Sequence, residues 1–314
     1  MERMLFGQVD GKDVHRVSIT VGDYRMDLLT YGANLCWFGT KEQNFVLSHD
    51  AFEDYIDDPS YQGSVVGPVA NRIKGGSFEV DGKEFQLDLN DGPNTLHSAS
   101  ACYGRRVWSI AGLGANSISL ILSTEKGLGG FPGSHEIMVT YSLYEDGCLN
   151  ILYRTSSSEK CPVAITNHAY FNLNRASKDI RNTVLTIPAD RYVEVDDALI
   201  PIAVEDVDGT DFDFRIPRAI GDRRNGSYDN TFILNQGAII RAEGDAATLE
   251  CRTTEPSFQL YTAEYLSDEH GQYSGFCIET GRYPDTPNHD DYPQAFTAPG
   301  EFYISNTTYR LRVR

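Results

Sequence analysis

Apolar and polar residues alternate with a period of two along much of the chain, and the alternation breaks at Asp-Gly and similar turns. In "SFEVDGKEFQL", Phe78 and Val80 lie on one arm and Phe85 and Leu87 on the other, around Asp81-Gly82. That is the pattern of a tight β-hairpin. "EIMVTYSLYEDGCLNILYRTS" repeats it, with Ile137, Val139, Tyr141 and Leu143 on one face, a turn at Asp146-Gly147, then Leu149, Ile151 and Tyr153. "HRVSITV" and "SISLILS" alternate in the same way, and the C-terminal "EFYISNTTYRLRVR" predicts two more strands. Helical spacing is scarce. "DAFEDYIDD" predicts one short helix with Asp50 as its N-cap, stopped before Pro59. Many strands and almost no helix predict an all-β fold, a large antiparallel β-sandwich with few short helices. No fixed-period repeat points to a propeller or solenoid. No Pro/Ser-rich linker divides the chain, so a single domain over residues 1–314 is expected.

Charge narrows the partners. The 27 basic and 45 acidic residues give a net charge of −18, which repels polyphosphates and anionic lipid and argues against nucleic-acid and membrane partners. No stretch reaches the roughly 20 apolar residues that span a bilayer. "MERMLFGQVDGKD" carries no export signal, so a cytoplasmic protein is expected. The six cysteines are scattered without a C-x-x-C pair and are expected as reduced, mostly buried thiols. The sequon at Asn225 then carries little meaning.

Several common chemistries are excluded by motif. H-E-x-x-H, G-x-S-x-G, the phosphate-binding G-x-x-x-x-G-K-[ST] and a dinucleotide G-x-G-x-x-G are missing. "DVDGTDFDF" resembles a calcium loop, but its glycine falls at the fourth position rather than the sixth, so turn chemistry is expected there. Neither a metal nor a cofactor is expected.

The remaining candidates are polar groups in apolar surroundings. Asn71 and Arg72 sit within "GPVANRIKGGSF", where an arginine is either a buried ion-pair partner or a ligand-gripping fork. His97 follows a Pro-Asn turn, a position usual for surface histidines. His168 lies in "AITNHAYFNLN" among Asn167, Tyr170, Phe171 and Asn172, and a hydrogen-bonded strand histidine would suit that setting equally well. Asp229 precedes an apolar strand, where turn capping is an alternative. Glu279 follows Phe276, Cys277 and Ile278, so its carboxylate lies in or at the rim of the core and needs partners or a shifted pKa. Such a group is a candidate general base. Together these residues suit proton shuttling on a neutral polyhydroxylated ligand, with aromatic rings packing on a sugar's apolar face.

In their order along the chain, "VVGPVANRIKGGSF", "NTLHS", "GFPGSHEIMVTYSL", "PVAITNHAYFNLN", "LTIPADRYVEVDDALIP", "GTDFDFR", "YDNTFIL", "QLYTAEYL" and "FCIETGRYPDTPNHDDYP" resemble the aldose 1-epimerase (galactose mutarotase) family over nearly the whole length. The resemblance implies the family's large antiparallel sandwich with an open cleft, and a cofactor-free interconversion of the α and β anomers of a free aldose. It implies Glu279 as catalytic base and His168 as catalytic acid, with Asn71, Arg72, His97, Tyr170, Asp229 and Gln259 lining the sugar site. Nearby carboxylates are expected to keep His168 protonated, and His97 and Arg72 to steady charge at the ring oxygen.

Two departures fall beside this inferred site. Leu96-His97-Ser98-Ala99 stands where the family often has Leu-His-Gly-Gly, and Gly281 stands where it commonly has glutamine. They leave the preferred sugar open. The alternatives are an epimerase of a phosphorylated or otherwise substituted sugar, for which Arg282 and Arg105-Arg106 are the local hints, and a non-catalytic carbohydrate-binding paralogue. The assembly is expected to be a monomer or homodimer.

Overall fold

The computed structural model describes residues 1–56, 58–175, 177–223 and 227–314; the sequon at Asn225 lies outside them. All ladders between its strands are antiparallel. The largest sheet has nine strands, beginning at an edge with Ser109–Leu113, Ser117–Ser123, His135–Leu143 and Cys148–Ser157. Tyr303–Val313 follows at its centre, then Ala247–Thr253, Ile240–Glu243, Val184–Thr186 and Arg218–Ala219. A six-stranded sheet runs Tyr170–Phe171, Phe276–Gly281, Ser257–Tyr261, Asp229–Ile233, Arg191–Val195 and Pro201–Asp206. Four N-terminal strands, from Glu2–Val9 to Asn34–Thr40, form a meander of their own. Among the described residues no helix is long and apolar enough to cross a membrane.

The alternation read from the sequence is the burial pattern of these sheets. Ile137, Val139, Tyr141 and Leu143 are fully buried, as are Leu149, Ile151 and Tyr153 across the ladder. At the Asp81-Gly82 hairpin both turn residues take positive φ, 52° and 79°, as a two-residue turn of right-twisting strands requires. Phe78 and Phe85 pair across it with centroids 5.7 Å apart.

Two expectations fail locally. Among the described residues of "DAFEDYIDD", which leave out Asp57, there is a single 3₁₀ turn, Phe52–Tyr55, preceded by Ala51 and without a side-chain cap from Asp50. Phe52 and Tyr55 are the buried pair, three residues apart, and a tighter turn places both inward. The C-terminal segment is one continuous strand, Tyr303–Val313, rather than two. Its polar centre is held on both sides, Asn306 opposite Leu152 and Thr307 opposite Thr253, so the ladders carry the strand through a sequence that resembles a turn.

This central strand also anchors the smaller sheet. Tyr309 donates its hydroxyl to the carbonyl of Ile278 at 2.9 Å and packs on Phe171 at 5.1 Å, while Thr280 and Thr307 share a hydroxyl bond at 2.6 Å. Odd-numbered neighbours of Ile278 therefore face away from the core, toward a cleft. We expect Tyr309→Phe, which removes a buried donor and little volume, to lower stability by about 1 kcal/mol. Urea unfolding checks this; an unchanged midpoint would show that the bond adds nothing to the anchoring.

Candidate active site

Glu279 projects from Phe276–Gly281, a strand buried along its whole length. Phe276 and Ile278 pack into the main core, and the period of two sends Cys277, Glu279 and Gly281 to the opposite face. Across the ladder Gln259 stands opposite Glu279, and Thr231 opposite Gln259. Gln259 donates Nε2–H to Asp229 Oδ1 at 2.6 Å and accepts from the Thr231 hydroxyl, which fixes its amide and aims the Asp229 carboxylate.

His168 lies between two short strands, Thr166–Asn167 and Tyr170–Phe171. Its backbone donates to Ser64 and accepts from Gly63, both at 2.9 Å. Asn167 donates to the Gly63 carbonyl at 2.7 Å and accepts from the Ala169 N–H at 3.1 Å, so the amide beside the histidine locks the local chain. The imidazole sits among Tyr61, His97, Tyr170 and Tyr261. Its Nδ1 is 3.5 Å from Cys277 Sγ and its Nε2 is 3.6 Å from Glu279 Oε1. Both side chains are only 6% exposed, so the pair meets in a nearly dry site.

A left-handed stretch of backbone delivers His97: its φ is 52°, and Ser98 and Ala99 follow at 67° and 46°. Non-glycine residues in this region are strained, and glycines would adopt it freely. Ser98 offsets the strain by donating its hydroxyl to the Val69 carbonyl at 2.8 Å and accepting the Val69 N–H at 2.9 Å. The first departure from the family pattern thus preserves the backbone path. His97 Nδ1 accepts the Asn71 N–H at 3.2 Å, which puts the proton of the neutral ring on Nε2. Burial pushes this histidine well below its usual range, with His168 and Arg72 adding to the effect.

Arg72 is an ion-pair partner that also lines the cavity. Its Nε donates to Asp91 at 2.8 Å, and its Nη1 reaches within 4.0 Å of Asp229, where it lines the cavity. The cavity measures about 400 Å³, within the common range for small-ligand sites. Asn71, Arg72, His97, His168, Tyr170, Asp229 and Glu279 all line it, with Gln259 holding Asp229 from beside it.

The sequence did not single out Asp58, Tyr61, Tyr261, Tyr265 and Asp268, which also line the wall. Tyr61 and Asp58 come from a turn-rich loop whose composition looks ordinary. Asp58 accepts the Ser60 and Gln62 N–H groups at 2.8 and 2.9 Å and lies 3.6 Å from His49 Nε2. Burial works against charge on His49, but Asp58 and Glu269 outweigh it and raise that histidine to about 9.

The central pair behaves differently from the expectation of a protonated His168. Burial lowers His168 to about 4, and the charge of Asp58 only partly opposes this. Burial, reinforced by Asp229, lifts Glu279 well above the ordinary carboxylate range, with Arg72 opposing. Burial likewise raises Asp229. Desolvation penalises each charged form, so a proton on the pair favours the carboxyl over the imidazole.

His97, His168 and Glu279 each bring one ligand atom within 4.8 Å of the others, and His49, Asp268 and His270 form a second such group. Among the described residues these two groups have the spacing to hold a divalent ion. The acidic "DVDGTDFDF" segment instead pairs with two arginines, Asp208 and Asp213 with Arg215 and Asp211 with Arg218. Gly281, the second departure, lies on the same face as Glu279, and a methyl group there would meet no atom within 4 Å beyond its chain neighbours.

The aldose 1-epimerase family pattern matches residues 15–310. Galactose mutarotase of Homo sapiens is 33% identical over 338 aligned residues, covering 99% of this chain and 98% of that protein. Aldose 1-epimerase of Escherichia coli K12 is 33% identical over 284 residues, 82% of each chain. The crystal structure of galactose 1-epimerase from Lactobacillus acidophilus superposes with a TM-score of 0.90 at 26% identity, covering 99% of this chain and 98% of that one. The cleft of titratable groups described above therefore sits in a chain that belongs to the aldose 1-epimerase family.

Proposed function

We propose that the protein is an aldose 1-epimerase that interconverts the α and β anomers of a free, neutral aldose, with Glu279 as base and His168 as acid. The observation that carries the reading is the 3.6 Å approach of His168 Nε2 and Glu279 Oε1 within the cavity. One proton shared by two groups is what ring opening needs. In the unliganded pair, burial favours that proton on the carboxyl. A bound sugar presents its anomeric O1–H to the carboxylate and its ring oxygen to the imidazole. Those hydrogen bonds favour ionised Glu279 beside imidazolium His168.

Glu279 then takes the O1 proton as C1=O1 forms. The C1–O5 bond breaks with its electrons moving to O5, which receives the His168 proton. Rotation about C1–C2 exposes the other carbonyl face, and closure runs the same transfers in reverse. His97, a neutral Nε2–H donor, and Arg72 support charge developing at the ring oxygen. Asp229, held by Gln259, and Asn71 take sugar hydroxyls, and Tyr170 with its neighbouring tyrosines packs against carbon faces.

Asp58, Asp229, Asp268 and Glu279 line the cavity against Arg72, a balance that favours neutral sugars over phosphorylated ones. Two of the three cations that hinted at phosphate are held by groups outside the cavity wall, and the third packs on an aromatic ring of it. Arg282 Nε lies 3.1 Å from Glu255, Arg106 donates to the Ser100 carbonyl, and Arg105 stacks 5.0 Å over Tyr61. Exchange spectroscopy on the anomeric protons of glucose, galactose, arabinose and glucose 6-phosphate tests the assignment. Acceleration with free aldoses is expected; binding without acceleration would leave a carbohydrate-binding protein, and acceleration of the phosphate alone would move the substrate class. We place the chain in the cytoplasm as one domain over residues 1–314, monomeric or homodimeric, a setting that suits its six free cysteines.

A further inference from the structure

A second cavity of about 400 Å³ abuts the first, and the two share Asp229 and Tyr265 as a common wall. Tyr265 is 70% exposed there, with its backbone N–H held by the Tyr261 hydroxyl at 3.1 Å, so an aromatic face stands at the crest between two polar basins. The wall of the second basin carries the stacked pair Tyr192 and Phe212, with centroids 4.2 Å apart and planes 26° from parallel. Arg223 lies 4.8 Å over Phe212 and donates to the Ser227 carbonyl at 2.7 Å, which occupies its charge locally. Glu264, also in this wall, accepts from the Ser227 hydroxyl.

Glu194 is the informative residue. It is half-buried in the wall of this cavity, its backbone pairs with Ala203, and among the described residues its carboxylate has no side-chain hydrogen bond or ion pair. Its carboxylate is therefore an acceptor left for something that enters. The exposed ring of Tyr265 combined with acceptor carboxylates suits a hydroxyl-rich ring, and Glu194, Glu264 and Asp229 together repel phosphate.

We infer that the second cavity binds the next sugar unit of a neutral disaccharide whose reducing-end ring reacts in the first. The inference rests on the mutarotase reading. Because the cavities share Asp229 and Tyr265, a ring in the second lies beside a ring in the first, and the outer ring contributes binding remote from the chemistry. The disaccharide is then a better substrate than its reducing-end monosaccharide, and Glu194 helps set that preference.

The test compares maltose, cellobiose and lactose with glucose in wild type, Glu194→Ala and Glu194→Trp, reading kcat/KM for anomer exchange. The alanine removes an acceptor, and the tryptophan fills the basin from a partly exposed strand position. For at least one disaccharide, the ratio of disaccharide to glucose kcat/KM is expected above unity in wild type and at least about tenfold lower in Glu194→Trp. Circular dichroism confirms that each variant is folded. Dissociation constants for methyl β-maltoside and methyl β-glucoside, whose anomeric centres are blocked, give a second readout that needs no turnover. The maltoside is expected to bind more tightly, and to lose at least about fivefold on Glu194→Trp while the glucoside is little changed. If glucose exchange is not accelerated, the mutarotase reading fails, and the blocked glycosides still decide whether the outer basin binds sugar. If glucose turns over but neither ratio moves with Glu194, the second subsite is overturned and the mutarotase reading stands.

Discussion

Glu279→Gln is expected to lower kcat for anomer exchange by about 10²–10⁴-fold while changing sugar affinity little. The amide keeps the size and much of the hydrogen bonding of the carboxyl, so the cavity with Arg72, His97 and Asp229 stays formed. What it loses is the ability to accept the O1 proton. His168 Nε2, 3.6 Å away, also loses the partner with which it shares a proton. The glutamine relieves the burial of an ionisable group that raises Glu279, so the variant is expected to be no less stable than the parent. Line-shape or exchange spectroscopy gives kcat, and titration with a blocked glycoside gives affinity. A variant that exchanges anomers at near-parental rates would remove Glu279 from the reaction. A variant that no longer binds the glycoside would instead make it a binding group.

The sheets were legible from the sequence because each buries one face, which prints a period of two onto Ile137–Leu143 and Leu149–Tyr153. The C-terminal strand was misread where Ser305, Asn306, Thr307 and Thr308 sit on two-sided pairing that only tertiary structure supplies. Glu279 was visible as a carboxylate in an apolar run, and the family resemblance then tied it to His168, His97, Arg72 and Asp229. The loop residues Asp58 and Tyr61 were not visible, since a turn that folds into a cleft has the composition of one that faces water. The protonation of His168 was also misjudged. Counting acidic neighbours predicts an imidazolium, whereas the structure buries the ring and gives desolvation the larger share. Sequence shows which charges exist, but their surrounding dielectric depends on packing.

His168→Gln is expected to cost a similar 10²–10⁴-fold, about the range of a lost general acid, and to change the shape of the pH profile. The active free enzyme holds one proton on the His168–Glu279 pair. Burial depresses His168 to about 4, so a second proton enters the pair, and kcat/KM falls, only as pH drops through about 4. A solvated histidine would put that limb near 6.5. The alkaline limb marks loss of the shared proton and lies above the ordinary carboxylate range, because burial and Asp229 hold the Glu279 proton in place. With glutamine at 168 the pair becomes a lone carboxyl, and the residual rate should rise with pH as Glu279 ionises, without a bell. The profiles are read after subtracting spontaneous mutarotation in matched buffers. An acid limb near 6.5 in the parent would mean that His168 is solvated before sugar binds. A bell that survives His168→Gln unchanged would assign the second titrating group to another residue, with His97 the nearest imidazole, its centroid 5.3 Å from that of His168.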